Sequence, residues 1–379
     1  MNTQWSFHSP VKIHLADNVL DRIGEHVRYE RTVLLTTAGA VRRGTVKRVE
    51  ASMGDRSVSV RDFVQPNPDI DNIDAHLYEL VEDRPDAIIA LGGGSVIDTA
   101  KAMARLMSNG GISLSDHLRD GVPFRSPADV PIIAIPTTSG TGAEVTPFGT
   151  IWDNRAHVKR SVEGPDILPE MALLDPLLTV GLPADITLST GLDVVSHSLE
   201  SIWNNNANPI SIALATGSLG SSLEDLDLLV REPSNIKARR SMMVASTMAG
   251  MAIAQTRTAL AHSMSYPLTA ELDVPHGLAC GFMLPEVLEF NSASDDGRLN
   301  RLANELGYRS IEDLRNGLSS FLDRTGADRM MLDIVKSAGN VLSRRAKMIN
   351  PSRASCNLRE AAMGDIDAIL DRWKRRVEG

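Results

Sequence analysis

Three short apolar runs in the first half of the chain narrow its possible folds more than any other feature. They are Thr32-Val33-Leu34-Leu35, Asp86-Ala87-Ile88-Ile89-Ala90-Leu91 and Val130-Pro131-Ile132-Ile133-Ala134-Ile135, each followed at once by Gly, Pro, Ser or Thr. Apolar runs that do not alternate with polar residues suit strands buried on both faces, the situation in a parallel sheet covered by helices. Ligands of such sheets bind beyond the carboxyl ends of the strands. After Ala172-Leu173-Leu174-Asp175-Pro176 the strand signals fade and long helical patterns take over, as from Ala238 to Ser265. A helix start at Pro183-Ala184-Asp185 places the boundary near Gly181. The 379 residues exceed one core of usual size. The expected architecture is an α/β nucleotide-type domain over residues 1–181 and an all-α domain over 182–379, with a cleft between them.

Charge and cysteine content remove several functions. A net charge of −9 argues against charge-driven binding to nucleic acid or to an anionic membrane. No apolar run approaches the roughly 20 residues that a membrane helix needs. The first 18 residues contain no continuous apolar core and do not read as a signal peptide, so a cytoplasmic protein is expected. Only Cys280 and Cys356 are present, without a CxxC, which supports neither a disulfide scaffold nor a thiolate zinc site.

Two segments look built for phosphate. Gly92-Gly93-Gly94-Ser95-Val96-Ile97-Asp98 stands where a strand hands over to a helix, so backbone N–H groups can face a pyrophosphate. It is neither a Walker A motif nor a GxGxxG fingerprint, and an ordinary tight turn would also account for it. Pro136-Thr137-Thr138-Ser139-Gly140-Thr141-Gly142-Ala143-Glu144-Val145-Thr146 also follows a strand and is expected to precede a helix. Its hydroxyl side chains suit an oxyanion, although Ser and Thr also favour helix caps. Two such segments at two strand ends make a ligand the better explanation.

A third constellation lies in the helical half. Six of nine histidines occur in the first 157 residues; the others are His197, His262 and His276. Asp193 and His197 are four apart and share a helix face. His262 is expected late in a long helix and His276 in a Pro275-His276-Gly277 turn. One carboxylate with three imidazoles suits Fe(II), Zn(II), Co(II) or Ni(II).

These stretches together resemble the iron-containing (group III) alcohol dehydrogenases over essentially the whole chain. The resemblance is carried by Gly92 to Lys101, Ile135 to Thr146, Leu174-Asp175-Pro176, Gly191-Leu192-Asp193, Ala261-His262-Ser263-Met264 and Pro275-His276-Gly277-Leu278. It implies a dehydroquinate-synthase-like, two-domain fold, often dimeric. It implies Asp193, His197, His262 and His276 as metal ligands, usually to Fe(II), with Zn(II) or another divalent ion open. It further implies that Gly93, Gly94, Ser95, Asp98, Thr137, Thr138 and Thr141 hold NADPH or NADH, joined by Asn67 and Lys159.

Departures from the family pattern sharpen the expectation. Where many members carry an Asp that accepts the adenosine ribose hydroxyls, this chain has Thr36-Thr37. Loss of that carboxylate removes a repulsion against a 2′-phosphate, with Arg42 or Arg43 nearby, and puts Thr37 in the cofactor site. Many members have a second histidine four residues beyond the His262 position; here it is Tyr266. Thr258, His262 and Tyr266 are expected on one helix face, with Arg257 adjoining. Near the end, Arg353 falls where many members have a pocket-lining Cys. Arg257 and Arg353 converging with Thr258 and Tyr266 suggest a small anionic aldehyde or alcohol, since guanidinium forks pair with phosphonate or carboxylate. The stretch Arg257 to Thr269 is similar to the branch of the family that reduces phosphonoacetaldehyde. Tyr266 and His276 are the expected catalytic residues, with Tyr266 or an ordered water supplying the proton. Reduction of an uncharged aldehyde such as lactaldehyde, a lyase of the dehydroquinate-synthase type, and a non-catalytic metal-binding protein remain as alternatives.

Overall fold

The structure is a computed structural model that describes residues 4–338 and 345–378. The chain forms two compact units. One holds residues 9–138 and 143–179; the other holds the residues up to His8, the segment 139–142, and everything from Val180 onward.

The first unit is built on strands β1 (Lys12–Leu15), β2 (Arg31–Leu35), β3 (Ser57–Arg61), β4 (Ala87–Gly92), β5 (Ile132–Pro136), β6 (Phe148–Asp153), β7 (Val158–Glu163) and β8 (Met171–Leu174). Six of them form a sheet in the order β1-β8-β5-β4-β2-β3, with every pairing parallel. β6 and β7 pair antiparallel as a separate ribbon. Alternation along the strands explains the unbroken apolar runs. Val33, Leu35, Ile88, Ala90, Ile132 and Ala134 enter one core, while Leu34, Ala87, Ile89, Leu91, Ile133 and Ile135 enter another on the opposite face. The expectation of a parallel sheet covered on both faces holds.

Register then aligns the strand ends. Leu91 lies opposite Ile135 and Gly92 opposite Pro136, and the Thr137 amide donates to the Gly92 carbonyl at 3.0 Å. Thr36, just past β2, donates its hydroxyl to the Leu91 carbonyl at 2.7 Å. The carboxyl ends of β2, β4 and β5 therefore finish level. Helix α1 (Ala38–Arg42) follows β2, and α2 (Gly94–Met107) follows β4.

The second unit is helical. Its leading elements are α3 (Ala184–Ile202), α4 (Pro209–Arg231), α5 (Ile236–Thr256), α6 (Leu260–Leu272) and α7 (His276–Gly281), and α8 (Met363–Glu378) lies near its end. They share one core that includes Leu192, Leu199, Trp203, Phe282 and Trp373. α3 is buried on every side from Gly191 to Ile202, so its Asp193, His197 and Glu200 sit where polar groups need partners. No helix among the described residues is long and apolar enough to cross a membrane.

Three local expectations change. The helical stretch from Ala238 to Ser265 is two helices, broken at Arg257–Ala259, where Arg257 takes the left-handed region at φ 69°. Thr258 therefore precedes α6 instead of lying on its face with His262 and Tyr266. The second phosphate-type segment leads not into a long helix but into a single turn, Ala143–Val145, and then β6. His276 opens α7 instead of sitting in a turn.

Lys101 on α2 is fully buried, donating to Thr146 Oγ1 at 2.9 Å and to the Phe148 carbonyl at 2.7 Å. Burial pushes its amine down to about 8, with Asp98 and Glu144 opposing. In the unfolded chain the same amine titrates near about 10.4. Between those values the unfolded chain binds the extra proton, so this lysine's destabilisation is complete below pH 8 and fades as pH rises. Chemical denaturation at pH 7.5 and pH 10 should show wild type gaining about 2 kcal/mol relative to Lys101→Met. Parallel pH profiles for the two proteins would contradict this.

Candidate active site

Asp193, His197 and Glu200 project from one face of α3 at spacings of four and three. α7 lies against this helix so closely that a Cβ on Gly277 would fall 1.8 Å from the Ser189 carbonyl oxygen. Only glycine permits that approach, and it brings His276, the residue before it, toward Asp193. α6 supplies His262 in its first turn.

Glu200 fixes His262. One oxygen accepts the His262 backbone amide at 3.1 Å, and the other accepts its Nδ1 at 2.5 Å. The Ala259 amide also bonds to this carboxylate. Glu200 thus caps α6 from outside its own helix and satisfies donors that a helix start leaves unpaired. With Nδ1 committed, Nε2 of His262 faces Asp193, the arrangement a carboxylate imposes on a metal-binding histidine.

Three imidazoles surround one carboxylate oxygen. Asp193 Oδ1 lies 3.5 Å from His197 Nε2, 3.5 Å from His262 Nε2 and 3.9 Å from His276 Nε2. The rings of His197 and His262 stack with centroids 4.9 Å apart. Burial alone would push the Asp193 carboxyl up, yet His197, His276 and His262 hold it well below the usual carboxylate range. Burial pushes His197 down. Burial also opposes a charge on His262, but Cys280, Glu200 and Asp193 raise it well above the ordinary value.

Asp193 Oδ1 and His262 Nε2 are buried without a hydrogen-bond partner among the described residues. Two such orphans pointing at one spot are costly unless something satisfies them. A divalent cation fits the donor set of carboxylate and imidazole. The side chain of His276 is 29% exposed against 5% for Asp193 and His262, so access is from the His276 side.

Of the residues expected at the dinucleotide, Thr37, Gly93, Gly94, Ser95, Thr137 and Thr138 stand at the carboxyl ends of β2, β4 and β5. Gly93 caps α2 in extended conformation, and a Cβ there would stand 3.3 Å from Thr138 Oγ1. Gly94 and Ser95 form the first turn of α2, and Thr37 caps α1 through its hydroxyl on the Ala40 amide. Asp98 is turned inward, accepting the Thr150 amide at 3.0 Å and lying 3.9 Å from Lys101. Lys159, on β7, places its ammonium 5.7 Å from the centroid of Trp152. Asn67 is exposed and left-handed at φ 55° between two prolines. Thr137 and Thr138 stay with the sheet, whereas Thr141 belongs to the 139–142 segment of the helical unit. There Gly142, at φ 62°, approaches α5 so closely that a Cβ would meet the Gly250 Cα at 2.4 Å.

Tyr266 lies one turn beyond His262, and its hydroxyl accepts from Arg353 Nε at 3.2 Å. The structure thus pairs two of the expected substrate residues. Thr258 is buried beside them in sequence, and the carbonyl of Arg257 accepts from Asn204 Nδ2 at 3.2 Å.

Two residues near the histidines escaped sequence reasoning. Glu200 stands three residues after His197, on the same face of α3, a spacing that could have flagged it. Cys280 belongs to no CxxC, but it is four residues after His276 on α7, and its Sγ lies 3.8 Å from each ring nitrogen of His276.

Comparison with known proteins agrees with this geometry. Residues 10–176 match the family described as iron-containing alcohol dehydrogenase, and residues 187–372 match its C-terminal part. A probable alcohol dehydrogenase of Escherichia coli is 33% identical over 79% of this chain and 73% of its own. The phosphonoacetaldehyde reductase of Streptomyces viridochromogenes is 37% identical over 60% of this chain and 58% of its own. Among solved structures, the sulfoacetaldehyde reductase of Bifidobacterium kashiwanohense in complex with NAD+ superposes with a TM-score of 0.87 at 27% identity. It covers 98% of this chain and 99% of its own.

The role of Glu200 is open to direct measurement. Glu200→Gln keeps the shape and one acceptor oxygen but turns the other into a donor amide and removes the charge that orients and polarises His262. Divalent-metal affinity should fall on the order of 10- to 100-fold, with the helical circular-dichroism signal retained. Metal titration giving unchanged affinity would rule this role out.

Proposed function

The chain belongs to the iron-containing alcohol dehydrogenase family, and from that premise we propose that it reduces phosphonoacetaldehyde to 2-hydroxyethylphosphonate. The observation that carries the substrate class is the Arg353–Tyr266 hydrogen bond, one helical turn from His262. Two similar proteins reduce aldehydes bearing an anionic group, a phosphonate in one and a sulfonate in the other.

In this reading Asp193, His197, His262 and His276 hold a divalent ion, Fe(II) in the native enzyme. The ion supplies Lewis acidity toward the carbonyl oxygen, and the reduced nicotinamide supplies the hydride. Glu200 keeps Nε2 of His262 toward the ion. Arg353 and Arg257 pair with the phosphonate oxygens, and Thr258 adds a hydroxyl. Tyr266, held by Arg353, gives its phenolic proton to the alcohol oxygen and regains one from water.

The dinucleotide is assigned to Gly93, Gly94, Ser95, Thr137, Thr138 and Thr141, with Thr37, Asn67 and Lys159, while Asp98 braces this region from within by accepting the Thr150 amide. NADPH is proposed as the form used. A methyl group on Gly39 would lie 3.1 Å from Arg43 Nη1, 3.6 Å from Thr37 Oγ1 and 3.9 Å from Arg42 Nη2. Two guanidinium groups and a hydroxyl therefore converge over the first turn of α1, a setting suited to a 2′-phosphate.

Three measurements test the proposal. His262→Ala should lose bound metal and turnover together; normal metal content with full activity would refute the assignment. Arg353→Ala should raise KM for phosphonoacetaldehyde on the order of tenfold or more, the worth of a charge-assisted hydrogen bond, and leave KM for lactaldehyde unchanged, with kcat lowered for both as Tyr266 loses its partner. Equal KM effects on both aldehydes would make Arg353 structural. Arg43→Ala should raise KM for NADPH and leave KM for NADH unchanged; a uniform change would point instead to NADH.

A further inference from the structure

We infer that the hydroxyl of Ser263 positions Arg353 against Tyr266, and so sets how well the site selects an anionic aldehyde. The inference rests on the proposed reading of Arg353 as the partner of the anionic group. Ser263 is a buried residue of α6, three before Tyr266, so the two share a helix face. Its Oγ donates to the Met348 carbonyl at 2.7 Å and accepts the Asn350 amide at 2.6 Å. A hydroxyl has one proton to give and lone pairs to receive, so it can hold both groups at once.

Arg353 needs such a hold. It sits on a helix of four residues, Pro351–Ala354, and a single turn has no stability of its own. What fixes this turn is the chain at its two ends. At the front, the Asn350 side-chain oxygen accepts the Ser352 amide at 3.1 Å, and its carbonyl accepts the amides of Arg353 at 3.0 Å and Ala354 at 2.8 Å. At the back, the Asn205 amide donates to the Cys356 carbonyl and Asn205 Nδ2 to the Asn357 carbonyl, both at 2.7 Å.

The bonds at the front close a ring. They run from the Ser263 hydroxyl to Asn350, from the Asn350 carbonyl to the Arg353 backbone, and from the Arg353 guanidinium to the Tyr266 hydroxyl at 3.2 Å. One turn of α6 then leads back to Ser263. Contacts are three residues apart on both sides of the ring, Asn350 and Arg353 on the strap, Ser263 and Tyr266 on the helix. One contact would leave the short helix free to pivot, whereas two fix its register along α6. Without the Ser263 oxygen, the carbonyl of fully buried Met348 and the Asn350 amide lose their partner. Buried polar groups are costly to leave unpaired, so the strap shifts to satisfy them and carries Arg353 with it.

A double-mutant cycle tests this role, with KM measured for phosphonoacetaldehyde and lactaldehyde. Ser263→Ala should keep its bound metal and raise KM for phosphonoacetaldehyde roughly three- to tenfold, the worth of an ordinary hydrogen bond. KM for lactaldehyde should not change. Added to Arg353→Ala, the same substitution should raise KM no further, because a residue that acts through Arg353 has nothing left to position. A full additional rise in that background overturns the inference, as does an equal rise for both aldehydes or no rise for either. If Ser263→Ala does not fold, Ser263→Cys keeps a side chain of similar shape with a much weaker hydrogen-bonding group and decides by the same cycle. Arg353→Ala acting alike on KM for both aldehydes would sink the substrate reading and this inference together. A selective Arg353→Ala beside an unselective Ser263→Ala would sink the inference alone.

Discussion

The carboxylate of Glu200, buried beneath the start of α6, is the group on which the rest of the site depends. Taking a carboxylate out of water is expensive unless its oxygens are fully used. Glu200 uses them on the amides of Ala259 and His262 and on the His262 ring. Each bond does two things: it offsets the desolvation of the carboxylate and removes an orphan donor from the helix start. A neutral residue at position 200 would leave those amides and the ring nitrogen to compete for whatever else lay near. The imidazole would lose its fixed tautomer, and Nε2 would no longer be obliged to face Asp193.

Close backbone approach supplies what the carboxylate cannot. The histidines come from three separate helices, and ordinary side-chain packing would hold those helices 8–10 Å apart at their axes. Gly277 brings α7 onto α3 at the turn that holds Ser189 and Asp193, and Gly142 does the same against Gly250 of α5. Here the glycines serve contact between elements. At Gly93 the need is different, because the space is shared with the Thr138 hydroxyl at the end of the neighbouring strand. Motif glycines that look alike in sequence therefore answer to separate steric demands.

Much of this was legible before any coordinates. Strand runs such as Ile88 to Leu91 are buried on both faces, and burial leaves a direct trace in composition. The i,i+4 pair of Asp193 and His197 could be read because helical periodicity is local. What could not be read depends on breaks and distant partners. The sequence from Ala238 to Ser265 carries no glycine or proline near Arg257, so its interruption there has no local signal. Cys280 gives no signal of its own in the sequence, because this thiol's neighbours are imidazoles and not a second cysteine. Asp98 was expected to face a ligand, and its inward turn to Thr150 depends on the β6 ribbon, which no short-range pattern announces.

The break at Arg257 is itself a requirement of the buried carboxylate. A left-handed backbone at a residue with a long side chain costs on the order of 1 kcal/mol or more. It persists because the Arg257 carbonyl is held by Asn204 Nδ2 and by the Thr256 hydroxyl. Asn204 is anchored in turn, its own carbonyl accepting from the buried guanidinium of Arg298 at 2.6 Å. Had α5 run on into α6, the amides of Ala259 and His262 would have bonded to carbonyls four residues back and left Glu200 with only an imidazole. A strained residue thus creates the free amides, the amides allow a charge to be buried, and the charge aims the histidine. Relieving the strain would dismantle the site from its far end.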